Sequence, residues 1–262
     1  MPVTIAQITD THLVPYASSH LQGFPTKDSL ATVLAEVKTL APDYLLLTGD
    51  LADAGEQSAY EELIDLITPL AIPSLWLDGN HDLLDKMEEM LDLPPFNNQK
   101  SIELGGWRLI LLSSVIKDRC TAEGELSDRS LEWLKTELLK YPNQPTLIAL
   151  HHPPVPTDVK WLDPMGLQSP EKFHEAIASF SQVRLVLFGH IHHNLHRHLG
   201  GVDYYGCPST CVQFAPANIE PTNIEELKLP GFRWLSLFPD GTYQTHIQRV
   251  DFASDHLKLV AY

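Results

Sequence analysis

Side chains able to ligate a metal stand in five short blocks: Asp10-Thr11-His12, Gly49-Asp50, Gly79-Asn80-His81-Asp82, His151-His152-Pro153 and Gly189-His190-Ile191-His192. The candidate ligands are Asp10, His12, Asp50, Asn80, His151, His190 and His192: imidazoles, carboxylates and one carboxamide, with no thiolate. Such donors suit borderline ions such as Fe, Mn, Zn or Co and do not suit a thiolate cluster. Seven ligands exceed what one ion takes. They fit two ions about 3.5–4 Å apart that share a carboxylate. Taken singly, each block has a bland reading. Asp10-x-His12 fits a solvated turn, and Gly49-Asp50 fits a common one. Asn80 and Asp82 could be the N-cap and first-turn carboxylate of a following helix. His193, His196 and His198 extend the last block into a His-rich tract. Five blocks in succession at strand ends argue instead for one joint site. In extended backbone Asp10 and His12 would point to one side, as would His190 and His192, and so chelate together.

The elements that must position these blocks alternate in pattern. Apolar, β-rich runs cover Val3–Thr9, Asp43–Thr48, Ile72–Leu77, Thr146–Leu150 and Val183–Phe188, and each is followed by a ligand block. Helical spacing covers Ser29–Leu40, with Asp28 or Ser29 as the expected cap, then Glu56–Leu70, Leu83–Leu91, Ser127–Tyr141 and Pro170–Phe180. Gly105-Gly106 between Lys100–Leu104 and Trp107–Ser113 predicts a tight hairpin. The C-terminal part reads as strands near Val202–Cys207, Phe232–Phe238 and Tyr243–Val250, with a turn at Asp240-Gly241. Such βαβ units followed by a β-rich ending predict two packed sheets with helices outside, an α/β sandwich formed by residues 1–262 as one domain. Ligands at the carboxyl ends of strands fit the rule for open α/β sheets.

Composition narrows the partners. A formal charge of −16 argues against a nucleic acid polymer and an anionic membrane, which both call for a basic surface. Two divalent cations would reverse that sign locally for an anionic substrate. Three cysteines without framework spacing (Cys120, Cys207 and Cys211) fit a reducing compartment, and the cytoplasm is the expected location. Cys207 and Cys211 are read as small apolar fillers rather than a redox pair.

The five blocks, in this order, resemble the signature of the calcineurin-like metallophosphoesterases. That resemblance implies a four-layer α/β/β/α sandwich. It also implies a first metal on Asp10, His12 and His192, a second on Asn80, His151 and His190, and Asp50 bridging both. His81 would contact the phosphate and protonate the leaving oxygen, with His12, Asp50, Asn80 and His192 also lining the phosphate. His152 occupies the variable position of its block and is left out of the ligand set. A narrower resemblance links the chain to bacterial class III cyclic-nucleotide phosphodiesterases. It is carried by Leu21-Gln22-Gly23-Phe24, Asp28–Leu34, Gly124-Glu125-Leu126-Ser127, His151–Pro156 with Trp161-Leu162-Asp163, Pro208–Phe214 and Pro230-Gly231-Phe232-Arg233. It implies hydrolysis of 3′,5′-cyclic AMP to the 5′-nucleotide by cation-activated water, and a homodimer joined through Pro208–Phe214 or the C-terminal strands. A broad phosphodiesterase acting on glycerophosphodiesters and an inactive scaffold on the same fold are the alternatives. Asp78 stands where the family pattern leads us to expect proline, so a carboxylate there could tune the second metal or Asn80. Phe24, Trp161 and Phe214 are candidates for a nucleobase wall, with core packing as the preferred reading.

Overall fold

The computed structural model describes residues 1–15, 20–117, 121–217, 224–253 and 257–260; Cys120 lies outside the described residues. In chain order the first half runs β1 (Val3–Ile8), α1 (Thr26–Leu40), β2 (Tyr44–Thr48), α2 (Gln57–Ile67), β3 (Ser74–Leu77), α3 (Leu84–Met90), β4 (Phe96–Asn97), β5 (Ser101–Leu104) and β6 (Trp107–Leu111). The second half runs α4 (Asp128–Lys140), β7 (Thr146–Ala149), α5 (Pro170–Ile177), β8 (Val183–Phe188), β9 (Leu195–Leu199), β10 (Val202–Gly206), β11 (Gln213–Phe214), α6 (Ile224–Leu227), β12 (Gly231–Leu237), β13 (Tyr243–Arg249) and β14 (Leu259–Val260).

Two six-stranded mixed sheets carry the structure, in the orders β13-β12-β1-β2-β3-β4 and β5-β6-β7-β8-β10-β9. Alternation along each strand explains how they stack, because successive side chains leave opposite faces. Ile5, Leu46, Leu75 and Leu77 point inward to meet Leu109, Leu111, Leu147, Leu185 and Leu187 of the second sheet. Ala6, Ile8, Leu45, Leu47 and Trp76 point outward and bury the apolar faces of α1, α2 and α3. On the far side Ile110, Ile148, Val186 and Phe188 pack with Leu131, Leu134, Leu138 and Phe173 of α4 and α5. The result is the expected helix, sheet, sheet, helix order. Strands covered on both faces read as continuous apolar runs, as parallel strands do.

Local differences from the expected elements have local causes. Helix α1 begins at Thr26 behind Pro25, which has no side-chain cap. Ser29 therefore lies inside the helix, and its hydroxyl donates to the Thr210 carbonyl at 2.6 Å. Helix α3 begins at Leu84, so neither Asn80 nor Asp82 caps it. The Gly105-Gly106 turn forms as expected, with φ of 58° and 96° and Leu104 facing Trp107. Strand β9 takes up the His-rich tract at a sheet edge. There His196 and His198 both turn to Asp203 of β10, at 2.8 and 3.0 Å, away from the ligand blocks.

Candidate metal centre

Strands β1, β2, β3, β7 and β8 all end on one side, and the five blocks leave from those ends. Hydrogen bonds tie one block to the next. The Asp10 and His12 amides donate to the Gly49 and Asp50 carbonyls at 3.0 and 2.9 Å. Asp10 accepts the His190 amide at 3.0 Å, and Asp50 accepts the His81 amide at 2.9 Å. His151 Nδ1 donates to the Thr48 carbonyl at 2.8 Å. Arg233, buried in β12, donates to Asn194 and the Gly206 carbonyl, which anchors the stretch after the fifth block.

The backbone in these blocks is not extended, which corrects the simple same-side argument. Asp10, His12, Asp50, His190 and His192 have φ of 53°, 43°, 52°, 66° and 49°. Non-glycine residues seldom adopt this left-handed conformation. It costs about 1–3 kcal/mol each and collects at functional sites. The long-range bonds above hold each carboxylate and imidazole in a turn that local preference would not select. Glycine is needed where blocks touch. A Cβ at Gly79 would stand 2.1 Å from Asp50 Oδ1, and one at Gly189 would stand 2.1 Å from Thr9 Oγ1 and 2.9 Å from Asp10 Oδ2.

The imidazoles are aimed from behind. His12 Nδ1 donates to Asp53 Oδ1 at 3.0 Å and His192 Nδ1 to the Val212 carbonyl at 2.8 Å. With Nδ1 protonated in these rings and in His151, each Nε2 presents a lone pair, the arrangement typical of metal-ligating histidines. Those lone pairs converge. His12 Nε2 and His192 Nε2 are 3.3 Å apart, and His192 Nε2 is 3.3 Å from Asp10 Oδ1. His151 Nε2 is 3.3 Å from His190 Nδ1. Asp50 Oδ2 lies between the two groups, 3.6 Å from His12 Nε2 and 3.3 Å from His151 Nε2.

Neighbouring ligands on an ion with bonds near 2.1 Å stand about 3.0–3.4 Å apart; the four spacings of 3.3 Å fit coordination, and the 3.6 Å from Asp50 to His12 is slightly longer. Two facing lone pairs in a buried site repel unless a positive charge, a cation or in its absence a proton, lies between them. Asn80 Oδ1 is buried without a hydrogen-bond partner among the described residues, a costly state that a ligand would relieve. The donor set and this unpaired atom fit a dinuclear centre.

Charge follows the same pattern. Burial opposes ionisation of Asp10, but His192 and His151 hold its carboxyl below the usual range. Asp50 lies further below it, with burial outweighed by His151 and His12. Burial, with help from His151, pushes His190 down to about 3, which keeps that ring neutral.

Three residues stand in positions that the sequence did not assign to them. Asp53 orients His12, and its backbone carbonyl accepts His81 Nδ1 at 2.6 Å, so proton transfer by His81 would run through Nε2. Its three-residue offset from Asp50 was the available signal. Asp82 accepts the Leu51, Ala52 and Gly79 amides and the Tyr60 hydroxyl, clasping the second block to the third. Burial and the charge of Asp50 raise its pKa to about 6. His152 is buried beside His151 and His190, bonded to Ser114, with Nε2 unpartnered among the described residues. Asp78 accepts the Ser113 hydroxyl at 2.8 Å, and burial raises its pKa.

A cavity of about 950 Å³ opens off Asn80 and His81. On the other flank Phe214 stacks on His192 at 4.1 Å and meets Trp161 edge-on at 4.9 Å, while Phe24 is fully buried. Cys207 and Cys211 are buried free thiols, and burial pushes both up to about 12. No helix among the described residues is long and apolar enough to cross a membrane.

Residues 3–194 match the family described as Calcineurin-like phosphoesterase. The chain is 43% identical over 97% of its length to a 3′,5′-cyclic-nucleotide phosphodiesterase of Nostoc sp., covering 94% of that protein. It is 36% identical over 95% of its length to the 3′,5′-cyclic adenosine monophosphate phosphodiesterase of Escherichia coli, covering 90% of it. Among solved structures it superposes on a dimetal phosphatase from Danio rerio with a TM-score of 0.66 at 14% identity, over 91% of this chain and 94% of that one.

Proposed function

The chain belongs to the calcineurin-like phosphoesterases, and from that premise we propose that it hydrolyses 3′,5′-cyclic AMP to 5′-AMP at a centre of two cations. Asp10, His12 and His192 would hold one cation, Asn80, His151 and His190 would hold the other, and Asp50 would serve both. The observation that carries the reading is the position of Asp50 Oδ2, within 3.6 Å of a nitrogen from each group. We take Fe or Mn as the proposed ions; a nitrogen and oxygen donor set without sulfur suits them as it also suits Zn or Co. When bound, such a pair supplies Lewis acidity to the phosphate oxygens and to the attacking water.

The protein's own residues do the rest. Asp10 and Asp50 lend the site enough negative charge to retain the cations, and the Gly79–Asp82 turn sets Asn80 and His81 against the phosphate. Water oxygen bonds to phosphorus as the P–O3′ bond breaks, His81 delivers its Nε2 proton to the departing O3′, and the proton shed by the water passes to solvent, from which His81 regains its own. Proton delivery of this kind contributes about 10²–10⁴-fold. A small diester suits this acidic chain better than a polymer of phosphates, since the net charge of −16 repels the latter.

Incubating Mn-loaded protein with cyclic AMP should give 5′-AMP as the sole nucleotide, resolved by chromatography from 3′-AMP. Faster turnover of glycerophosphodiesters than of cyclic nucleotides would instead favour a broad phosphodiesterase.

A further inference from the structure

We propose that the cavity beside His81 is a nucleobase cleft, with Leu83 forming one wall and Val115 and Ile116 forming another. The inference rests on the cyclic-nucleotide reading above and adds where the base lies and which residues select for it. The cavity, about 950 Å³, falls within the ~300–1,000 Å³ that ligand pockets usually span. Because Asn80 and His81 are part of its lining, it begins where the phosphate would dock. His81 faces the leaving oxygen, and that oxygen belongs to the ribose. The nucleoside therefore extends to the His81 side, into this cavity.

The wall residues present aliphatic surface to the cavity. Leu83 is 54% exposed although it follows His81 by only two positions. It is nevertheless held from behind. A Cβ at Gly55 would lie 2.4 Å from Leu83 Cγ, so the leucine rests directly on that glycine. Its amide donates to the Tyr60 hydroxyl at 3.0 Å, and Tyr60 in turn donates to Asp82. Val115 and Ile116 are half-buried just beyond the end of β6, and Val115 is bridged to Gly124. An exposed leucine that is locked in place, facing a cavity with further aliphatic residues, favours burial of an uncharged aromatic base.

A cationic alcohol such as choline would call for free carboxylates or an aromatic cage. Of the carboxylates that border the cavity, Asp53, Asp78 and Asp82 are engaged by His12, Ser113 and backbone amides, and the charge of Asp85 is offset by Lys86 and Lys117 of the same lining. The aromatic residues on the opposite flank are committed to His192 and to each other.

The test compares kcat/KM for cyclic AMP, for an abasic ribose 3′,5′-cyclic phosphate and for methyl p-nitrophenyl phosphate, on wild-type protein, Leu83→Ser, Ile116→Ser and Leu83→Met. The expected result is that each serine lowers the ratio of cyclic AMP to its abasic analogue by about tenfold or more, through KM, as loss of a buried aliphatic contact would. Leu83→Met should keep the ratio, and the wild type should prefer cyclic AMP over its abasic analogue by a similar factor. Hydrolysis of cyclic AMP with that ratio unmoved in both serine variants overturns the cleft alone. A wild type that cleaves methyl p-nitrophenyl phosphate but no cyclic phosphate overturns the cyclic-nucleotide reading and the cleft with it.

Discussion

Replacing Gly79 with alanine should disable the centre without touching a ligand. The added methyl would stand 2.1 Å from Asp50 Oδ1 and 2.3 Å from the Asp50 amide nitrogen, where ordinary contact begins near 3.4 Å. Rotating the carboxylate cannot relieve the clash with the amide, so the backbone of the second block must retreat. The movement needed is roughly 1 Å, against a tolerance of about 0.2 Å in ligand distances. Asp50 then loses its place between His12 and His151, and a misplacement of about 1 Å typically costs on the order of 10²-fold in rate. Overpacking adds a stability loss of about 1–3 kcal/mol. The assay is metal content by elemental analysis, turnover of a chromogenic diester and thermal melting, all on the same preparation. Gly200→Asn is the matched control. A Cβ there meets nothing within 4 Å among the described residues, and its φ of 61° is one that asparagine tolerates. Gly79→Ala protein with a full metal complement and wild-type turnover would refute the argument.

Asp53→Ala should weaken cation binding by about 10–100-fold, because His12 loses the carboxylate that orients its ring; equilibrium dialysis against Mn²⁺ measures this, and unchanged affinity would count against it. His81→Gln should retain its cations and lose about 10²–10⁴-fold in kcat, as expected for a lost proton donor; near-normal turnover would remove His81 from the proposed step. Cation removal should make stability depend on pH. In the cation-free protein burial disfavours the charged form of His151, but Asp50 and Asp10 outweigh burial and raise its pKa to about 10. A histidine raised above its ordinary value stabilises the fold below about pH 6.5, and that contribution is lost as pH climbs through about 10. Chelated protein should therefore melt progressively earlier across that window, while Mn-loaded protein should not. Parallel slopes in the two melting series would contradict this.

Much of the architecture was legible because it rests on short-range patterns. The strands leading to Asp10, Asp50, Asn80, His151 and His190 are apolar on both faces, and Gly105-Gly106 announces its own turn. What stayed hidden depends on contacts distant in sequence. The left-handed φ of Asp10 and His12 is imposed by bonds from their amides to the Gly49 and Asp50 carbonyls, which no local window contains. Strand β9 was obscured because three of its five side chains face solvent and two of the five are histidines, so it reads as polar. Strand β4 has only two residues and gives no period at all. The ligand types were readable as chemistry, but the supports behind them, Asp53 and Asp82, were not, since a surface turn would present the same residues.

The most direct measurement is a titration of metal-stripped protein with Mn²⁺, followed by electron paramagnetic resonance and by elemental analysis. The account predicts saturation at two Mn²⁺ per chain with the multiline spectrum of an exchange-coupled pair, reflecting a carboxylate shared between them. Saturation at a single ion, or two ions that show only the six-line spectrum of isolated Mn²⁺, would contradict it.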